Sequence, residues 1–376
     1  MRIDLRQFVL PVVAVAAFVC GGSPVSAQTV APRQVAALAG PQVTQEAPSA
    51  ANLWQKYKER FILADGRLQD IDNGRISHSE GQGYGMLLAV LNDDRATFER
   101  MWGWTAENLF VRGDNLAAWR WRPEQGVTDR NNATDGDLLI AWALARAARK
   151  WNLAGHAEDA RQIAFAVAQL VRYSPAYGYI LPPGANGFDE NSMKDGPVVN
   201  LSYSVLPAFD ELARIAPEID WASLRSSSVE IIKRSRIGKA GLPSDWVSLA
   251  ANKPAAAHFK PAYFGYDAIR IPLYLAWSQS RDSEALAIFG ERWKDQQDLR
   301  PVVVDVINDR KVENFWDSSY RAVVALTRCA VYGEAFPASL QKVDFSHYYP
   351  STLHMLSLAA LRERNSECGA AVAVRM

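Results

Sequence analysis

Residues 135–151 decide the fold of this chain, and they read DGDLLIAWALARAARKW. Apolar side chains occupy nearly every face of this stretch, which predicts a helix that is buried on all sides. The next stretch, 156–173, has its apolar residues on one stripe and its charged residues away from that stripe. A helix of this kind buries a single face against a neighbour. The two stretches together predict an inner helix followed by an outer helix.

The same helical pattern recurs along the chain. Helix pairs follow one another at intervals of roughly 45 to 65 residues, inner before outer, which predicts an all-α fold and suggests a closed ring of helical hairpins. A short additional helix is expected at 245–251. Strand-like runs are few and brief, at 117–122, 177–181 and 302–307. The eleven predicted helices are 51–64, 80–91, 96–109, 135–151, 156–173, 201–215, 221–236, 267–278, 283–294, 316–331 and 351–364.

The first residues have the pattern of a secretory signal peptide, which we assign to 1–27. A basic start precedes an apolar run at 8–20, and a small-residue cleavage site ends at Ala27. The apolar run is too short to span a bilayer. Residues 28–50 are rich in Ala, Gln, Val and Pro without sustained periodicity, so we expect a flexible lead-in. Residues 51–376 are expected to form a single folded domain that is secreted or periplasmic.

Composition argues against several classes of function. Lys plus Arg and Asp plus Glu both number 41, which leaves no basic excess for nucleic acid or an anionic membrane. No later stretch approaches about 18 consecutive apolar residues, so no membrane span is expected in the mature chain. The five histidines show no ligand spacing, and we therefore predict no metal and no cofactor. Cys20 leaves with the signal peptide, and Cys329 and Cys368 could then pair in an oxidising compartment.

Two acidic stretches each place a carboxylate beside glycines at a predicted helix start. They are 77–86, which reads SHSEGQGYGM, and 132–137, which reads NATDGD. Side chains at a helix start can face a cavity, and glycines let a bulky ligand approach the backbone. The chain also has 12 Trp, 13 Tyr and 14 Phe, and flat aromatic faces bind pyranose rings. Converging carboxylates amid aromatic residues are what sugar hydrolysis needs, and the candidates are Glu80 and Asp135.

Helix capping is the structural alternative for these acidic residues. Ser77 and Glu80 have the spacing of a capping box, as do Ser79 and Gln82. The segment from Thr134 to Asp137 has the same spacing, which favours a structural role for Asp137. Asp135 lies one residue beyond that cap and is free to point into a cavity.

Three motifs resemble those of glycoside hydrolase family 8. Residues 133–141 (ATDGDLLIA) are similar to the family signature, and 79–86 (SEGQGYGM) to its general-acid motif. Residues 266–272 (YDAIRIP) resemble its third acidic motif, and order and spacing agree over roughly 53–360. The resemblance implies a single catalytic (α/α)6 barrel at 51–376, an inverting mechanism and no metal. It also implies similarity to the exported endo-β-1,4-glucanases associated with bacterial cellulose synthesis.

The resemblance implies a role for each acidic residue. Glu80 would be the general acid that protonates the leaving glycosidic oxygen, and Asp267 the general base that deprotonates the attacking water. Asp135 would hold the sugar at the cleavage subsite or, in an older assignment, act as the nucleophile. Arg270 is expected to lower the pKa of Asp267 and keep it ionised, while Glu80 stays protonated. A simple pair of Asp267 with Arg270, at i,i+3 on a helix, is the structural alternative.

Several further side chains are expected to bind substrate. Strand alternation would place Trp119 and Trp121 on one side and the neighbouring arginines on the other, and one of the two tryptophans is expected to stack on sugar. Tyr203 lies where the family carries a tyrosine near the cleavage point, and its alternative is a place in the barrel wall. Tyr84 is a weaker candidate. Arg270 is also counted among the substrate-binding residues.

These observations favour a secreted or periplasmic endo-β-1,4-glucanase. Its expected partners are a β-1,4-glucan polysaccharide and, functionally, a cellulose synthase complex. One alternative is a family 8 enzyme for xylan, chitosan or mixed-linkage glucan. The other is a non-catalytic glycan-binding component of a cellulose export apparatus.

Overall fold

Eleven α-helices dominate residues 50–369, the part of the chain that this computed structural model describes. The expected signal peptide at 1–27 lies outside the described residues, as does the expected lead-in at 28–50 up to Ala50, where the first helix begins. The helices are α1 (Ala50–Phe61), α2 (Ser79–Leu91), α3 (Arg95–Asn108), α4 (Thr134–Trp151), α5 (Ala154–Leu170), α6 (Leu206–Ile215), α7 (Trp221–Arg234), α8 (Arg270–Trp277), α9 (Ser283–Trp293), α10 (Arg321–Tyr332) and α11 (Tyr348–Arg364).

Largely buried helices form a closed inner circuit. Helix α2 packs against α4, α4 against α6, α6 against α8, α8 against α10, α10 against α11, and α11 returns to α2. Every residue of α8 is buried, because this helix has neighbours on all sides. Helices α3, α5, α7 and α9 lie outside this circuit. The expected order of a buried α4 followed by an outer α5 is confirmed, since α5 buries only one stripe.

Glycines let the first turns of α2 and α4 touch. A Cβ added to Gly136 would lie 2.1 Å from Ser79 Oγ and 2.7 Å from the backbone nitrogen of Glu80. A Cβ added to Gly83 would lie 2.5 Å from the Cβ of Leu139. Any larger residue would push the two helices apart at the point where Glu80 enters α2.

Eleven short strands form four small antiparallel sheets in the described residues. The strand orders are β1–β2–β3, β4–β5, β6–β7–β8 and β11–β10–β9. The strands are β1 (Ser77–His78), β2 (Arg120–Arg122), β3 (Gly126–Asp129), β4 (Arg172–Ser174), β5 (Gly178–Ile180), β6 (Val198–Val199), β7 (Val247–Ser248), β8 (Ala255–Ala256), β9 (Tyr263–Phe264), β10 (Val302–Asp305) and β11 (Arg310–Asn314). The three predicted strand regions are confirmed as β2, β5 and β10.

Some predicted helix boundaries are wrong. The helix expected at 245–251 does not form, because Val247–Ser248 is a strand that pairs on both sides with β6 and β8. Helix α6 begins at Leu206, and the preceding Leu201–Tyr203 is a 3₁₀ turn. Helix α8 begins at Arg270 rather than at residue 267. The aspartate at 267 therefore lies on the turn before the helix.

The two cysteines among the described residues are joined. A disulfide links Cys329, near the end of α10, to Cys368, just beyond α11, with Cα atoms 5.7 Å apart. The sequence left this pairing open, and it is present in the structure. Among the described residues no helix has both the length and the apolar character needed to cross a bilayer.

Candidate active site

One buried arginine joins three carboxylates that arrive from different parts of the chain. Arg270 Nη1 donates to Glu80 Oε1 and, over 2.9 Å, to Asp135 Oδ2. Arg270 Nη2 donates over 2.9 Å to Asp267 Oδ1. The Arg270 side chain is only 2% exposed. Its guanidinium therefore fixes the positions of all three acidic side chains relative to one another.

The first turns of three helices and one preceding turn build this cluster. Glu80 lies in the first turn of α2, Asp135 in the first turn of α4, and Arg270 opens α8. Asp267 precedes α8 on a turn in which the Arg270 amide donates to the Asp267 carbonyl over 3.1 Å. Asp135 also accepts from the Gly136 amide over 2.8 Å. Because the inner helices start at the same end of the ring, side chains far apart in sequence meet there.

The expected helix caps are wrong in detail. The N-cap of α2 is His78, whose Nδ1 accepts from the Gly81 amide over 3.0 Å. Ser77 Oγ instead donates to the carbonyl of Leu68. No side chain caps α4.

Asp137 has the structural role that the sequence favoured, through contacts other than a helix cap. Its carboxylate accepts from the Ala117 amide and from Asn132 Nδ2, each over 2.8 Å. Burial raises the pKa of Asp137 to about 7. This buried carboxylate ties the segment that leads into β2 to the first turn of α4.

Burial dominates the protonation of the acidic cluster. It raises the pKa of Asp135 to about 7, with a further upward effect from the charge of Glu80 and an opposing one from Arg270. Burial also raises the pKa of Asp267 and outweighs the lowering effect of Arg270. The expected lowering by Arg270 is therefore present, but the net shift of the Asp267 pKa is upward. One cation cannot neutralise three ionised carboxylates in a low-dielectric site, so the cluster holds a proton readily.

A cavity of about 200 Å³ opens beside the cluster. Glu80, Asp135, Trp119 and Tyr203 line it. The Asp267 side chain is one third exposed, so it is accessible from solvent. Neutral sugars bind between aromatic faces and a few polar groups, and this cavity offers both. The remaining lining residues are Asp70, Asn73, Ile76, His78, Ser79, Ala133, Tyr348 and Tyr349.

The two predicted tryptophans have different surroundings. Trp119 lines the cavity, and the guanidinium carbon of Arg120 lies 4.8 Å from the centre of its ring. Trp121 packs edge-on against Trp104, with ring centres 5.4 Å apart, and beneath Arg67. Strand β2 begins only at Arg120, and its pairing with β3 is irregular there. Of the two tryptophans only Trp119 lines this cavity, and sugar stacking on Trp121 stays a prediction.

Tyr203 reaches the site, whereas Tyr84 does not. The ring centre of Tyr203 lies 5.5 Å from the guanidinium carbon of Arg270. Tyr84 is fully buried, and its hydroxyl shares a 2.5 Å hydrogen bond with that of Tyr274. The expectation that Tyr84 binds substrate is wrong, because it has no accessible surface. Arg270 is likewise committed to the carboxylates and acts on a substrate only through them.

Four further residues lie beside the acidic residues of the site. His78 Nδ1 lies 3.7 Å from Glu80 Oε2, and Asn200 is buried beside Asp267. The Tyr349 hydroxyl donates over 2.8 Å to the carbonyl of Tyr266. The fourth residue, Asp245, accepts two hydrogen bonds from the turn that carries Asp267. His78 lies within the stretch 77–86 and Asn200 lies three residues before Tyr203, but nothing in the sequence connects Asp245 or Tyr349 with this turn.

His78 is electrostatically tied to the acidic cluster. Burial by itself would lower the pKa of His78, but the nearby carboxylates of Asp70, Glu80 and Asp135 together raise it. His78 Nε2 lies 3.8 Å from Asp70 Oδ2. The imidazole therefore sits between two carboxylates at the start of α2.

Comparison with known proteins identifies the family. Residues 29–363 match the model of glycosyl hydrolases family 8. The chain is 39% identical over 231 residues to an endoglucanase of Cellulomonas uda, a match covering 61% of this chain and 64% of that protein. It is 34% identical over 343 residues to a probable endoglucanase of Novacetimonas hansenii, covering 88% of this chain and 98% of that protein.

A solved structure agrees with the fold. The crystal structure of a GH8 endo-β-1,4-glucanase from an Achatina fulica gut metagenomic library superposes with a TM-score of 0.76 and 35% identity. The superposition covers 86% of this chain and 100% of that chain. The (α/α)6 barrel implied by the sequence resemblance is thereby confirmed. With its family match spanning most of the chain, this protein belongs to glycosyl hydrolase family 8 and is a glycoside hydrolase.

Proposed function

We propose that this protein is an exported endo-β-1,4-glucanase that cleaves internal bonds of cellulose or soluble β-glucan with inversion of the anomeric carbon. The observation that carries the proposal is the cluster of Glu80, Asp135 and Asp267 around one guanidinium. This cluster lies beside a cavity lined by Trp119 and Tyr203. Relatives over long stretches of the chain are named endoglucanases.

Glu80 and Asp267 divide the acid–base work in this proposal. Glu80 faces the cavity and donates its proton to the glycosidic oxygen as the bond from that oxygen to the anomeric carbon breaks. A water attacks the anomeric carbon from the opposite side and gives its proton to Asp267. The one-third exposure of Asp267 supports access by that water. The raised pKa of Asp267 makes it a stronger proton acceptor once it is ionised.

Asp135 contacts the sugar in the subsite just before the cleaved bond. Its carboxylate is fixed by Arg270 and by the Gly136 amide, and it is only 2% exposed. A carboxylate held in this way can bind a sugar hydroxyl more strongly as oxocarbenium charge develops. We therefore assign it to substrate distortion rather than to covalent attack.

Export and association with cellulose synthesis belong to the same proposal. The basic start, apolar run and small-residue site at 1–27 support export, as does the disulfide between Cys329 and Cys368. Sequencing the N-terminus of protein recovered from the periplasm or medium should give a chain that starts at Gln28. A chain recovered only from the cytoplasm with Met1 intact would contradict export.

The substrate is tested by a panel. Carboxymethylcellulose, xylan, chitosan and mixed-linkage glucan are each incubated with the wild type, and reducing ends and product lengths are measured. Fastest release from carboxymethylcellulose, with a wide range of product lengths, is expected of an endo-acting glucanase. NMR of the first product should show the inverted anomer. Binding without any release of reducing ends would favour the non-catalytic alternative.

A further inference from the structure

The turn that carries Asp267 is held from behind by a second aspartate. Asp245 Oδ1 accepts from the Gly265 amide over 2.9 Å and from the Ala268 amide over 2.8 Å. These two amides flank Tyr266 and Asp267. The Asp245 amide in turn donates to the Tyr263 carbonyl over 2.7 Å, which anchors Asp245 to β9.

The fit between Asp245 and this turn is close. A Cβ added to Gly265 would lie 2.6 Å from Asp245 Oδ2, so no larger residue fits at 265 with the carboxylate in place. On the other side, the Tyr349 hydroxyl holds the Tyr266 carbonyl. The backbone around Asp267 is therefore fixed by hydrogen bonds from two different segments.

The charge of Asp245 acts on Asp267. Burial raises the pKa of Asp245 to about 7, the charge of Asp267 raises it further, and the two backbone hydrogen bonds oppose the rise. Because this repulsion is mutual, an ionised Asp245 increases the proton affinity of Asp267. The other charged or titratable groups that act on Asp267 are Glu80 on α2, Asp135 on α4, Tyr203 on the 3₁₀ turn, Arg270 on α8 and Tyr349 on α11.

We propose that Asp245 is a positioning residue for the general base. It fixes the turn that presents Asp267 to the attacking water, and in its ionised form it makes Asp267 a better proton acceptor. This inference rests on the proposed function, since it assigns a helper to the base of that same reaction. It adds a residue from a segment, 243–249, that none of the three acidic motifs contains.

Asp245→Asn separates charge from shape. The amide oxygen can still accept from Gly265 and Ala268, while the negative charge is lost. We expect kcat to fall about tenfold, KM to stay within about twofold, and the acidic limb of the kcat profile to move to lower pH. The limb moves in that direction because Asp267 loses a neighbour that favours its protonated form. Asp245→Ala also removes the hydrogen bonds, and a misplaced base should cost about a hundredfold in kcat.

Asp210→Asn is the matched control. Asp210 holds the chain at the opposite end of α8, where it accepts from Ser278 Oγ over 2.9 Å and from the Gln279 amide over 2.7 Å. Its loss should change thermal stability at most, with wild-type kcat and pH profile. An unchanged kcat and pH profile in Asp245→Asn would overturn the proposal. So would a loss of kcat that leaves the acidic limb in place, since that is a purely structural effect.

If the Asp245 variants do not fold, Gly265→Ala still tests the role of Asp245. The added methyl should displace the Asp245 carboxylate without removing its charge, and kcat should fall at least about tenfold. Wild-type turnover in Gly265→Ala would overturn the proposal. Asp267→Asn distinguishes a failure of the proposed function from a failure of the role given to Asp245. An active Asp267→Asn variant contradicts the proposed function. An inactive Asp267→Asn variant together with a fully active Asp245→Asn variant contradicts only the role of Asp245.

Discussion

Arg270 sets the chemistry of the site through the positions it imposes. Its two terminal nitrogens hold acidic side chains from α2, α4 and the turn before α8. Such a buried cation is stabilised only while its partners remain, and each partner is held in place by the shared guanidinium. The catalytic assignments at this scale are therefore best tested by substitutions that change charge and keep shape.

The acid and the base are tested by Glu80→Gln and Asp267→Asn. Each substitution should lower kcat on carboxymethylcellulose by about 10²- to 10⁴-fold, because each removes one proton-transfer partner. Thermal unfolding should change little, since both amides can still accept a hydrogen bond from Arg270. Either variant that retained more than about a tenth of wild-type kcat would lose its catalytic assignment.

Asp135→Asn tests the role in substrate distortion. Because the carboxylate acts on the transition state more than on ground-state binding, kcat should fall strongly while KM stays within a few fold. Initial rates over a range of substrate concentrations separate the two constants. A variant with wild-type kcat and reduced stability would show that Asp135 only supports the start of α4.

The stability of the Asp135→Asn variant relative to wild type should depend on pH. Burial raises the pKa of Asp135 to about 7, so folding favours its protonated form. Its contribution to the free energy of unfolding is complete below about pH 4 and is lost as the pH rises through about 7. The melting temperature of Asp135→Asn, relative to wild type, should therefore rise between these pH values. A difference that did not vary with pH would contradict the raised pKa.

At the scale of elements, Glu80 and Asp135 come together because α2 and α4 are in contact at Gly136. Gly136→Ala would place a methyl 2.1 Å from Ser79 Oγ and force the helix starts apart. We expect about 1–3 kcal/mol of lost stability, as in other overpacked cores, and at least about a tenfold fall in kcat. Gly103→Ala, on an exposed face of α3 with no atom near, is the control and should gain about 0.5–1 kcal/mol. Equal effects of the two substitutions would disprove the contact argument.

Helices with a strong repeat of apolar residues could be predicted from the sequence, whereas strands that exist only through pairing could not. The apolar run that opens at Leu138 and the single stripe of α5 determine their helices through local pattern alone. Val247 and Ser248 form β7 because β6 and β8 pair with them, which a window of sequence does not show. Glu80 and Asp267 were found through motifs, whereas the hydrogen bonds of Asp245 depend on a turn that folding brings to it.

At the scale of the whole molecule, the disulfide links the C-terminal end of α10 to the residues that follow α11. It lies far from the acidic cluster. Tyr349, at the start of α11, lines the cavity, and Cys368 lies beyond the far end of that helix. Reduction, or a Cys329→Ala/Cys368→Ala double variant, should lower the free energy of unfolding by up to about 4 kcal/mol, given the 39-residue separation. Turnover at 25 °C should be unchanged. A large loss of kcat without a change in melting temperature would show that the bond acts on the site itself.

The closed circuit of inner helices determines when, during synthesis, the fold can be completed. The ring is sealed where α11, the last helix, meets α2, one of the first. While the chain is still on the ribosome, the contact between α11 and α2 cannot form until α11 has been made up to Arg364. Glu80, in α2, is synthesised long before that. Until then the early helices lack one of the helices against which they pack in the finished ring. The complete active site should therefore exist only after α11 has been made and has closed the ring against α2.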